Sequence, residues 1–279
     1  MEGGKTVLIT GASSGIGLST VVYLAEKRYK VYAGIRDLTK KNSLLKEIEN
    51  KNLEVEIVYL DLLDQGSVIE AVNKILRDSG SIDVLINNAG YGLKGFLECC
   101  SMEEIKSQFE TNFFSQIFLI KCILPVMRNQ RQGRIINISS IYAEFPFPAM
   151  SAYSAAKSGI EAVTGALRME LEPFNIQLCT IQPSGIKTNF DKSAILTRDL
   201  QGVSSAYYHP FKYYIEKITG ESSQGLSAEI VAKKIYKALA SKKMKRKYAV
   251  GKGAVVFMLL KSILPYSLLE RSFKKIFKL

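Results

Sequence analysis

Short apolar runs rich in β-branched residues alternate along this chain with longer stretches whose apolar residues return every three or four positions. The runs are Thr6–Thr10, Lys30–Ile35, Val55–Leu60, Ile82–Asn87, Arg134–Ser139 and Ile176–Ile181, and Lys247–Gly251 is a shorter seventh. A strand apolar along its whole length needs cover on both faces, and helices between successive strands provide it. The pattern predicts a doubly wound α/β fold built on a seven-stranded parallel sheet. No linker interrupts it, so residues 1–251 read as one domain and 252–279 as a helical extension. At 279 residues the chain can bury a full core.

Charge is unevenly placed. From Lys233 onward there are fourteen Lys and Arg against one acid, Glu270, whereas the preceding part carries 24 basic and 25 acidic residues. Four cysteines include an adjacent pair, Cys99 and Cys100, and no Cys-x-x-Cys, which argues against a zinc site or a disulfide framework. They read as buried thiols of a cytoplasmic protein, and "MEGGKTVLIT" lacks the basic head and apolar core of a secretory signal.

The first strand runs directly into "TGASSGIG" (Thr10 to Gly17), which opens a helix. Glycines at a strand-to-helix turn let the backbone approach a pyrophosphate, and the helix N-terminus adds N–H groups and a positive dipole. Further on, "SAYSAAKSG" places Tyr153 and Lys157 one helical turn apart and therefore side by side. A tyrosine hydroxyl ionises near pH ~10, and a cation beside it favours the phenolate, which makes a usable acid/base.

These motifs, in order, resemble the short-chain dehydrogenase/reductase family over nearly the whole length. "TGASSGIG" is similar to the family's glycine motif, "NNAG" (Asn87 to Gly90) follows the fourth strand as the family's does, and Ser140 stands thirteen residues before Tyr153. The resemblance implies a single-domain Rossmann fold and a tetrad of Asn112, Ser140, Tyr153 and Lys157. Tyr153 would exchange a proton with the substrate oxygen, Lys157 would lower the Tyr153 pKa and bind the nicotinamide ribose, Ser140 would hydrogen-bond the reacting oxygen, and Asn112, on a long fourth helix, would anchor a water. It further implies that the cofactor meets Gly11, Ser13, Ser14, Gly15, Ile16, Gly17, Arg36, Asp61, Leu62, Asn88, Ala89, Gly90, Pro183, Gly185, Ile186 and Thr188, as well as Tyr153 and Lys157. Ala156 and Ser184 depart from the family's usual serine and glycine.

Cofactor choice is read where the second strand ends. An acid there accepts hydrogen bonds from a ribose 2′-hydroxyl, whereas a cation meets the 2′-phosphate. "AGIRDLTKK" places Ile35 at that position and Arg36 directly after it, with Lys40 and Lys41 close by, which favours NADP(H) over NAD(H). Asp37 is the counter-argument, unless it caps the helix that follows. Tyr207, Tyr208, Phe211, Tyr213 and Tyr214 fall in the segment, about 186–226, that folds over the substrate in this family. They suit a bulky apolar substrate or pack the segment onto the body. His209, the one histidine, reads as structural. The closest resemblance is to the 17β-hydroxysteroid dehydrogenase branch, which implies a hydrophobic ketone or secondary alcohol that is steroid-, retinoid- or lipid-like. Related readings are an acyl-dihydroxyacetone-phosphate reductase and a dinucleotide sensor without turnover. The family also implies a homodimer or homotetramer.

The last segment, "GKGAVVFMLLKSILPYSLLERSFKKIF", is too interrupted to span a bilayer. Its mixture of apolar and basic residues suits either peripheral membrane contact or a helix pair packed on the body. Nothing in it matches a specific nucleic-acid-binding module.

Overall fold

The computed structural model describes residues 4–188, 190, 194–197, 213 and 225–277. Seven strands form one parallel sheet: β1 (Thr6–Thr10), β2 (Lys30–Ile35), β3 (Val55–Tyr59), β4 (Val84–Asn87), β5 (Gly133–Ile138), β6 (Ile176–Pro183) and β7 (Lys247–Val250), in the order β7-β6-β5-β4-β1-β2-β3. The chain moves outward from β1 to β3 and then returns to the other side of β1 with β4. That return creates a switch point at the carboxyl ends of β1 and β4, where a doubly wound sheet opens a crevice.

Strand limits differ from the sequence reading where side chains compete for the backbone. Asp83 accepts from the Thr6 amide (2.8 Å) and Gln130 from the Ile82 amide (3.1 Å) ahead of β4, which begins at Val84. At the other side β6 runs two residues further than expected, because β7 pairs with Gln182 and Pro183.

Residues of β1 alternate between two cores. Val7 and Ile9 face α1 (Gly15–Glu26), α2 (Asn42–Lys51) and α7 (Ala228–Leu239), whereas Leu8 faces α3 (Gln65–Ser79) and α5 (Ser115–Gln130). Each such side chain, fully buried, contributes ~1.5–3 kcal/mol. Cys99 and Cys179 are buried and Cys100 and Cys122 half-buried, so burial of all four is not observed. Burial raises the Cys179 thiol to about 12, which leaves it inert.

The long fourth helix is not continuous. A capping box of Ser101 and Glu104 starts α4 (Met102–Phe109), a wide π-helical turn follows at Glu110–Phe114, and α5 continues from it. Through this turn Gln108, Asn112 and Gln116 all stay fully buried on one side. Beyond β5, α6 (Ser151–Glu170) covers the same sheet face as α5.

Two helices complete the described chain, α8 (Lys252–Ile263) and α9 (Tyr266–Phe277). They dock on the segment between β5 and α6: Phe145 meets Phe257 (5.5 Å between ring centres) and Tyr266 (5.2 Å), and Glu144 pairs with Lys261 (2.8 Å). Among the described residues no helix is long and apolar enough to cross a membrane.

Candidate active site

The exits of β1 and β4 are joined by short bonds. The Thr10 hydroxyl accepts from the amides of Asn88 and Ala89 (3.0 Å each), and the Asn88 side chain donates to the carbonyls of Thr10 (2.8 Å) and Gly11 (3.2 Å). Asn88 thus holds the glycine turn in place. Gly11 has φ +65° and sits against Ala89, and a Cβ on Gly17 would lie 2.1 Å from the Gly11 carbonyl oxygen, so neither position admits a side chain. The Ser14 side chain makes no capping bond to α1, which leaves that role at the helix N-terminus open to an anion. Thr188 closes against Gly15, 3.3 Å from where a Cβ would stand.

Where β2 ends, Arg36 is exposed. Asp37 is engaged with its own turn: it accepts from the Thr39 amide (3.1 Å) and hydroxyl (2.6 Å) and pairs with Lys40 (3.2 Å). Those hydrogen bonds, from Thr39 first and Lys40 next, lower its pKa. Across the sheet Asp61 accepts from the Leu63 amide (3.1 Å) beside the buried Leu62.

Tyr153 and Lys157 are buried on the first turns of α6, with the ammonium 5.9 Å from the tyrosine ring centre. The Lys157 ammonium donates to the Ile138 carbonyl (2.7 Å) at the end of β5. Burial pushes its pKa down to about 8, and the charge of Glu161, one turn further along α6, opposes the fall. Ser140 begins the tight turn after β5, its hydroxyl accepting from the Tyr142 amide (3.2 Å), and the Ser158 hydroxyl ties that turn to α6 by donating to the Ala143 carbonyl (3.0 Å). Around Tyr153 the rings are Tyr142 (6.1 Å) and Phe190 (5.7 Å).

Asn112 serves a purpose that its motif did not disclose. Its amide donates to the Tyr91 carbonyl (2.8 Å) and its oxygen accepts from the Tyr91 amide (3.1 Å), directly beside Gly90. Gln108 donates to the same carbonyl and accepts from the Leu93 amide, and Gln116 donates to the Ala89 carbonyl. Three amides, one per turn, therefore grip the chain as it leaves β4. Gln108 and Gln116 were missed in the sequence, although polar residues recurring every four positions in an otherwise apolar helical segment were a readable signal.

Pro183 closes β6, Gly185 turns the chain with φ +58°, and Ile186 begins a two-residue strand paired with Leu226. Ser13 and Ile16 are partly exposed in the glycine turn. Of the aromatic segment only Tyr213 is described, and Tyr207, Tyr208, His209, Phe211 and Tyr214 lie outside the described residues.

The sequence model of the short chain dehydrogenase family matches residues 5–199. The chain belongs to the short-chain dehydrogenase/reductase family. Members of that family are oxidoreductases acting on CH–OH groups with NAD(P), and that activity is assigned to this protein. It is 36% identical over 267 residues to the 3-ketodihydrosphingosine reductase of Bacteroides thetaiotaomicron, covering 95% of each chain. It is also 39% identical over 191 residues to human retinol dehydrogenase 8, covering 67% of this chain and 60% of that protein. Among solved structures, a short-chain dehydrogenase of Streptomyces avermitilis superposes with a TM-score of 0.82 at 27% identity, covering 98% of each chain. A Burkholderia phymatum family member in complex with NAD, at 21% identity and a TM-score of 0.80 over 92% of each chain, shares the fold.

Proposed function

We propose that this short-chain dehydrogenase/reductase interconverts a hydrophobic ketone and its secondary alcohol, with NADP(H) and with Tyr153 as the acid/base. The observation that carries the reading is the buried Tyr153–Lys157 pair on α6, set behind the end of β5 in a sheet whose switch point bears the glycine turn.

The residues present fit a dinucleotide. The glycine turn admits no side chain, Ser14 leaves the start of α1 uncapped, and Thr188 and Gly185 flank the crevice. Gly11 to Gly17 would hold the pyrophosphate, Asp61 and Leu62 the adenine, and Asn88 to Gly90 with Pro183 to Thr188 the nicotinamide end. Asp37 has its carboxylate engaged by Thr39 and Lys40, while Arg36 is exposed and able to meet a 2′-phosphate, which supports NADP(H). When bound, the nicotinamide supplies or accepts the hydride.

For reduction, Tyr153 donates its phenolic proton to the substrate oxygen; for oxidation, the phenolate removes it. The Lys157 charge favours the phenolate, and the charge of Glu161 offsets part of the burial that lowers the lysine's pKa. Ser140, fixed by the Tyr142 amide, donates to the same substrate oxygen and stabilises charge that develops there. Because the Asn112 side chain is held by Tyr91, its part is to fix the π-helical turn from which a relay water would hang.

Tyr142, Phe147 and Phe190 line the approach to Tyr153 with aromatic surface, which suits an apolar substrate. Relatives named for 3-ketodihydrosphingosine and for retinol support the same class. The test is oxidation of NADPH and of NADH against carbonyls of increasing chain length. Rising kcat/KM with apolar length and a preference for NADPH support the proposal. A panel in which NADPH binds and nothing is reduced would favour a sensor.

A further inference from the structure

Helix α8 leaves several aliphatic residues in solvent. Its Lys261 points inward to Glu144, and Ala254 and Phe257 pack beside it, while Val255, Val256, Leu260 and Ile263 face outward. Val256, Leu260 and Ile263 recur at helical spacing on that outer side, and Ile263 is 77% exposed. The turn to α9 continues the surface with Leu264 and Tyr266, and on α9 the exposed Leu268, Arg271 and Lys275 share one side. A helix that ties Lys261 to Glu144 and shows Val255, Val256, Leu260 and Ile263 has a face that water does not favour.

Charge decides what covers it. From Lys252 onward six Lys and Arg stand against one acid, Glu270, with Lys261 paired to Glu144 and Lys274 to Glu270, so that Arg271 and Lys275 on α9 are exposed beside the aliphatic side. Pairing two copies through this face would bring two such basic regions together, and a nucleic acid offers nothing to the aliphatic residues. An anionic bilayer satisfies both, taking the apolar side chains at the acyl boundary and the cations at the head groups. The position adds a second reason. A row of touching rings runs from the hairpin to the site: Tyr266 and Phe257 on Phe145, Phe145 on Phe147 (5.6 Å), Phe147 on Tyr142 (4.6 Å) and Tyr142 on Tyr153.

We infer that the α8–α9 hairpin seats on an anionic lipid surface through Val256, Leu260, Ile263 and the following turn. The seat is read from exposure and charge and does not rest on the proposed reaction at Tyr153.

The test is co-sedimentation of the full chain, without substrate or cofactor, with phosphatidylcholine vesicles and with vesicles containing phosphatidylglycerol. Binding is expected to the anionic vesicles, weakened by high salt, and at least tenfold lower for Val256→Glu/Ile263→Glu, whose NADPH affinity stays unchanged. Failure to pellet with anionic vesicles at low salt overturns the inference. So does binding that the double variant leaves intact, or a lipid-free oligomer that the double variant dissociates. Because lipid binding is scored without turnover, an inactive enzyme that still binds anionic vesicles would refute the reaction but leave the seat standing.

Discussion

Replacing Lys157 by methionine should stabilise the protein while abolishing its turnover. The side chain is 3% exposed, and burial lowers its pKa from 10.5 to about 8. That gap corresponds to ~3 kcal/mol by which the folded chain disfavours the ammonium. Below pH 8 both folded and unfolded chains carry the proton, and the folded state bears the whole penalty. Between about 8 and 10.5 the unfolded chain still holds a proton that the folded chain has released, so wild-type stability rises with pH through that window. Methionine has similar bulk and no charge, but it forgoes the ammonium's bond to the Ile138 carbonyl, worth ~2 kcal/mol for a charged donor. The variant is therefore expected to be more stable by about 1 kcal/mol at pH 7, an advantage that vanishes by about pH 9. Urea unfolding of both chains at the two pH values, without cofactor, measures this directly. A variant no more stable than the parent at pH 7, or a difference indifferent to pH, would refute the argument that burial dominates at this lysine.

Three further outcomes are expected. Gly17→Ala places a methyl group 2.1 Å from the Gly11 carbonyl oxygen and 2.7 Å from the Asn88 amide nitrogen, so NADPH titration should show at least a hundredfold loss of affinity. Arg36→Ser should raise KM for NADPH about tenfold and leave that for NADH unchanged, since only the 2′-phosphate loses a charge-assisted bond. Burial works to raise the Glu144 pKa, but hydrogen bonds from Lys247, Lys261 and Gln182 outweigh it and hold the carboxyl near about 2. Its contribution is thus present above the usual carboxylate range and lost as pH falls through about 2, and Glu144→Gln should lower Tm at pH 7 and flatten the acid limb of the stability curve.

Much of this fold is written in residues that act locally. The first two strands coincide with their apolar runs, because both lie inside the sheet and nearly every residue in them is buried. The glycine turn and the Tyr153–Lys157 pair were legible for the same reason, each being a short motif with a fixed backbone requirement. The π-helical turn was not, since a helical period tolerates one added residue and only the grip of Gln108, Asn112 and Gln116 on residues 89–93 reveals why it is there. Glu144 was equally hidden: its partners Gln182, Lys247 and Lys261 are distant in sequence and meet only once the sheet is assembled. Asp37 shows the middle case, a residue whose two readings both follow from sequence and which hydrogen bonds to Thr39 assign to its own turn.

The central claim is that the Tyr153 hydroxyl moves the proton while a bound nicotinamide moves the hydride. It is tested most directly by comparing wild type and Tyr153→Phe on the most reactive carbonyl of the panel, with NADPH affinity measured alongside. The account predicts a fall in kcat of at least a thousandfold at unchanged NADPH affinity, and a phenylalanine variant that turns over like the parent would contradict it.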